Sequence, residues 1–155
     1  MLKQTKHFGC IEIDEDKIIT FEQGIMGFEN MKQFTILYDY DGVKKSNISY
    51  LQSLDEPALA LPIINPLMVK PDYNPTVNDE LLNSLGTLSD ENLVIMVTLT
   101  VPTDIKNIST NLKAPFIINA DTKKGCQIIV ENQDYPVKYN IYDILQEKNS
   151  EKGEF

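Results

Sequence analysis

Residues 93–102 read LVIMVTLTVP, with Leu93, Ile95, Val97, Leu99 and Val101 on one face of an extended chain and Thr98 and Thr100 on the other. Alternation with a period of two marks a strand that packs one face, so the odd-numbered side is assigned to the core. The run is also the longest apolar stretch, and it falls far short of the ~20 residues that span a bilayer. No membrane span is expected.

Working outward, 116–119 and 127–131 form a closing pair of strands around a polar turn holding Asp121, Lys123, Lys124 and Gly125. Upstream, Asn78 caps a short helix, with Asp79 and Glu80 at its positive end, Leu81, Leu82 and Leu85 packing inward and Gly86 as the stop. Pro66, Pro71 and Pro75 make NPLMVKPDYNP an ordered, extended surface segment. A strand is expected at 58–64. A hairpin joins 34–40 to 48–54 through Asp41-Gly42, and another joins 8–13 to 17–21 through Asp14-Glu15-Asp16. Gly24 and Gly27, in FEQGIMGFE, read as a turn with close backbone approach.

Short strands with turn signals about every 8–12 residues imply a mainly β chain. The expected fold is a small antiparallel β-barrel-like single domain with one or two short helices, because closure protects strand edges. The domain is placed at 1–145. Residues 146–155 are expected to be a mobile polar C-terminal tail, preceded by a turn of helix at 141–145.

Fourteen basic against twenty-three acidic residues give a net charge of -9, a field that repels phosphate backbones and attracts basic surfaces. Direct nucleic-acid binding is disfavoured. Lys44-Lys45 and Lys123-Lys124 read as solvated turn charges. The N-terminal sequence has no apolar signal region, which points to the cytoplasm. Cys10 and Cys126 lie far apart with His7 as the only histidine, too few ligands for a zinc site and no base for a nucleophile. Neither Asp14-Glu15-Asp16 nor Asp39-Tyr40-Asp41-Gly42 has calcium-loop spacing. No metal, no cofactor and no catalytic site is expected.

Four strings carry a specific pattern: FGCIEIDEDKIITFEQGIMGFE at 8–29, YLQSLDEPALALPIINP at 50–66, PDYNP at 71–75 and NLKAPFIIN at 111–119. Together with GCQIIV at 125–130 and YPVKY at 135–139, they make the chain resemble the FliW family of flagellar assembly factors. Met26 stands where that family usually has proline in a GIPGFE-like turn, which removes a fixed φ, and Tyr50 precedes LQS in place of another aromatic.

The resemblance implies a non-enzymatic β-barrel-like factor that binds flagellin in the cytoplasm. It also implies binding of the translational regulator CsrA, relieving repression of flagellin messages in a partner switch. An acidic antagonist suits a basic RNA-binding repressor. Partner contacts are expected in the punctuated loops, at Asp72 and Tyr73 and at Asn111 and Lys113, with Gln52 behind them. The competing reading of these polar residues is that they satisfy turn backbones. The alternative function is direct binding of single-stranded nucleic acid or oligosaccharide, which would need aromatics interleaved with Lys and Arg.

Overall fold

In a computed structural model the described residues are 1–41 and 44–152, with side chains described for 1–38, 48–80 and 82–147. Strands β1 (Leu2–Thr5) and β2 (Gly9–Glu12) form a separate antiparallel hairpin. The larger sheet contains β3 (Ile19–Phe21), β4 (Gln33–Asp41), β5 (Lys44–Ser53), β6 (Ala60–Ile64), β7 (Leu93–Thr100), β8 (Ser109–Thr110), β9 (Phe116–Asn119), β10 (Lys124–Gln127) and β11 (Tyr139–Asn140). Its order is β11-β8-β7-β6-β5-β4-β3-β10-β9, and a further β7–β9 ladder joins Leu93–Met96 to Phe116–Asn119. That ladder closes β7-β6-β5-β4-β3-β10-β9 into a seven-stranded barrel. Every pairing in the barrel is antiparallel except β3 with β10.

Barrel closure gives β7 two packed faces. Its Val94 and Met96 pack on the interior cluster of Ile19, Phe21, Phe34, Leu51, Ile63 and Phe116. The odd-numbered face assigned to the core lies on the other side, where Val97 and Leu99 join Ile64, Val69, Ile108 and Ile141 in an outer layer. At its ends that face emerges, Leu93 being 37% and Val101 54% exposed. Gly125 of β10 faces the barrel interior, where an added Cβ would lie 2.8 Å from the Phe21 ring.

The expected hairpin 8–13/17–21 does not form. Thr5 folds the chain back earlier: its hydroxyl donates to the Gly9 carbonyl (2.8 Å) and accepts from the Phe8 N–H (2.9 Å). β2 therefore pairs with β1, the acids Glu15 and Asp16 enter a 3-10 turn (Glu15–Lys17), and β3 joins the barrel. The β4–β5 hairpin forms as expected, although Lys44 and Lys45 already belong to β5, and Gly42 lies outside the described residues. A β9–β10 hairpin forms, but its second strand is Lys124–Gln127 in place of the expected 127–131, so Lys124 and Gly125 are ladder residues.

The helix expected after Asn78 is a 3-10 helix, Asp79–Leu85, with the Asn78 side chain accepting from the Glu80 N–H and Gly86 at its end. Leu85 is buried and Leu82 packs on the same cluster, whereas the Leu81 side chain lies outside the described residues. The sole α-helix among the described residues is α1 (Tyr142–Lys152), started by the Asn140 side chain accepting from the Tyr142 N–H. It runs past the domain boundary placed at 145, because Ile144 and Leu145 pack on the outer layer and anchor its first turns.

Candidate partner-binding surfaces

The 65–75 segment is less of a surface strip than its prolines suggest. Pro66 opens a 3-10 turn (Pro66–Met68) capped by Asn65, which buries Val69, and Tyr73 turns inward at 6% exposure. The Tyr73 hydroxyl donates to the Leu112 carbonyl (2.8 Å), and its ring lies 4.8 Å from that of Tyr135. The Tyr135 hydroxyl in turn accepts from the Asn74 N–H (2.8 Å). Burial pushes the Tyr73 phenol well above its ordinary range.

Around this pair the predicted polar residues serve the backbone. Asn111 Oδ1 accepts from the N–H groups of Lys113 (2.9 Å) and Ala114 (3.1 Å), which shapes the turn into β9. Lys113 Nζ donates to the Asn132 carbonyl (2.9 Å), tying that turn to the segment before Tyr135. Asp72 alone among the predicted loop residues is fully presented, its side chain 81% exposed and paired with Lys70 at 3.1 Å. Lys70 lies 5.9 Å from the Tyr135 and Tyr139 ring centres, and the hydrogen bond to Asp72 raises its pKa.

Gln52 lies elsewhere, on the outer face of β5, fully buried. Its Nε2 donates to the carbonyls of Ser53 (2.9 Å), Leu59 (3.1 Å) and Pro57 (3.3 Å) and so fastens the β5–β6 connection. Its Oε1 is buried, with no hydrogen-bond partner among the described residues. Of the five expected contact residues, Gln52 and Tyr73 are thus buried inside the protein. Asp72 is exposed, while Asn111 and Lys113 are half-buried and already bonded to backbone.

What the loops lack in exposed aromatics, two other places supply. Over β5, Phe8 sits 5.1 Å from Tyr50 beside His7, whose Nε2 is 3.2 Å from the Ala58 carbonyl. At the 24–29 turn, Met26 and Phe28 are exposed, and the Met26 N–H is held by Gln127 Oε1 (2.7 Å). That turn needs its glycine: Gly24 has φ +68°, and an added Cβ would sit 2.3 Å from the Glu29 carbonyl oxygen. The sequence singled out Gly24 and Gly27 but not the apolar side chains that the turn displays.

Among the described residues no three His, Cys, Asp or Glu side chains gather to hold a metal, and no helix is long and apolar enough to cross a membrane. Burial pushes the Cys126 thiol up to about 11.

The family model described as FliW protein matches residues 3–141, which takes in β2 to β11 whole and β1 from Lys3. The chain belongs to the FliW family. A flagellar assembly factor FliW of Lachnoclostridium phytofermentans is 56% identical over 155 residues, covering 99% of both chains. One from Lachnospira eligens is 49% identical over 151 residues, covering 97% of this chain and all of its own. The crystal structure of a flagellar assembly factor FliW superposes with a TM-score of 0.81 at 34% identity, over 91% of this chain and 96% of the other. The mainly β barrel implied by the resemblance is therefore the fold of the family, and the family is one of flagellar assembly factors.

Proposed function

We propose that this protein is a cytoplasmic, non-enzymatic flagellar assembly factor that binds flagellin and binds the translational regulator CsrA, antagonising repression of flagellin translation. The observation that carries the reading is near-full-length identity of 56% to a flagellar assembly factor FliW. The charge of -9 supports the CsrA side, since an RNA-binding repressor must present basic surface that an acidic protein attracts. It also argues against direct nucleic-acid binding. The accessible surface of 9284 Å² leaves room for two standard patches of about 800 Å² each, so exclusion of one partner by the other requires overlap or coupling.

Calorimetric titration with flagellin and with CsrA from the same organism, each repeated with the other partner already bound, tests the proposal. Binding to both, with mutual suppression, is the expected outcome. Binding to neither folded partner would remove the assignment. Asp72→Lys is expected to weaken at least one of the two complexes with little shift in thermal unfolding, because the Asp72 side chain is 81% exposed and its pairing with Lys70 lies at the surface.

A further inference from the structure

The two edges of β7 are paired unequally. On one edge β9 covers Leu93–Met96 and β8 covers Leu99 and Thr100, and between them the Thr98 carbonyl accepts from the Thr110 hydroxyl (2.7 Å) and the Asn111 N–H (3.2 Å). On the other edge the β6 ladder stops at the pair Ile64–Val97. Peptide groups point to alternate sides along a strand. Because Thr98 points towards β8, Val94 and Met96 point towards β9, and Ile95 points to the side where β6 has ended.

The residue that would come next opposite Ile95 is Pro66. It has no N–H to give, and its carbonyl is already taken by the N–H groups of Val69 (3.2 Å) and Lys70 (2.8 Å) in the 3-10 turn. Among the described residues the N–H and C=O of Ile95 have no partner on that side. They face a slit of about 380 Å³ whose walls include Pro66, Leu67, Pro75, Val94 and Met96. Leu67, at its rim, is 52% exposed.

We propose that this slit takes an extended segment of a partner protein, which adds as a short strand beside Leu93–Met96, places one apolar side chain between the prolines and carries a lysine or arginine next to it. An extended segment fits because its own peptide groups are free to meet Ile95, whereas those of a helix are already spent. A basic neighbour fits because the exposed acids Asp90 and Glu91 stand three and two residues before Leu93 of the slit, and the nearby cation Lys70 is already neutralised by its pairing with Asp72. A second copy of this chain fits poorly, since it would bring the same acids, and a second charge of -9, to one edge. The inference does not rest on the partners proposed above: their failure to bind leaves it standing, and its failure leaves them.

The test uses the full chain and a synthetic peptide of alternating valine and lysine, compared with the same peptide N-methylated on alternate amides and with one carrying glutamate for lysine. Binding is expected to slow exchange of the Ile95 amide by about tenfold or more, and to be lost by about tenfold or more with either altered peptide. Ile95→Pro deletes the N–H on the open edge and is expected to abolish binding. Should it disturb folding, Leu67→Arg, at an exposed rim position, is expected to weaken binding several-fold with an unchanged melting temperature. Absence of binding, equal binding of the N-methylated peptide, an Ile95 amide untouched by the peptide, or protection of that amide by self-association alone would each overturn the proposal.

Discussion

Inside the barrel the Phe21 ring meets Phe34 at 5.4 Å and Phe116 at 5.8 Å, each edge to face, with aliphatic side chains around them. Outside it the paired rings of Tyr73 and Tyr135 give both hydroxyls to backbone groups of distant segments. The interior is held by burial, which is proportional to area and indifferent to direction. The tyrosine pair adds directional bonds to its burial, and breaking one strands a buried group. Loops that look like binding loops in sequence can therefore be fasteners.

The largest effect should come from the interior. Phe21→Ala is expected to cost about 3–5 kcal/mol, read from urea unfolding; a loss under about 1 kcal/mol would mean that the phenylalanine cluster does not hold the barrel together. Tyr73→Ala should approach that range because its ring is buried, and an unchanged melting temperature would return Tyr73 to the surface. Gly24→Ala is expected to lose about 1–3 kcal/mol through backbone strain, while an equally stable variant would show that the turn rearranges freely.

Tyr73→Phe isolates the directional part, about 1 kcal/mol for the bond to Leu112. It also changes the alkaline limb of stability. Burial raises the folded-state pKa of Tyr73 above its unfolded value near 10, so the contribution of the neutral phenol is complete below about pH 10 and is lost as pH rises beyond it. Cys126 acts likewise, complete below its ordinary 9.0 and lost as pH rises through about 11. Thermal melts from pH 8 to 12 should therefore fall less steeply for Tyr73→Phe than for the parent, and parallel curves would contradict the burial. Smallest of all, Asp72→Ala should change stability by under ~0.5 kcal/mol, since its ion pair with Lys70 is exposed.

How far the sequence spoke depends on the range of the cause. The β4–β5 hairpin, the Gly24 turn and the Asn78 cap were legible because neighbouring residues determine them, whereas of the closing pair only β9 was, the strand expected at 127–131 being displaced to 124–127. The two-sided role of β7 was not, because Val94 and Met96 become interior only when β9 closes the barrel. The β1–β2 pairing was missed because Thr5, a lone threonine in a polar run, gives no strong turn signal. The burial of Tyr73 and Gln52 was hidden for the same reason as the role of β7: what buries them, Leu112 and Tyr135 in one case and the β5–β6 connection in the other, is set by tertiary structure. Pro66 was readable as a break, but an open edge on β7 appears only once β6 is known to be its neighbour.

The parallel pairing of Thr20 with Lys124 and of Phe21 with Gly125 bears on how the chain is made. As it leaves the ribosome, β3 has β4 on one side, but its other neighbour is still unsynthesised for about a hundred residues. The barrel cannot shut until β10 has emerged, so the phenylalanine of β3 waits for most of translation with one flank uncovered. Such long-range closure is slow relative to hairpin formation, and it makes the nascent chain, more than the finished protein, the form in need of protection from aggregation.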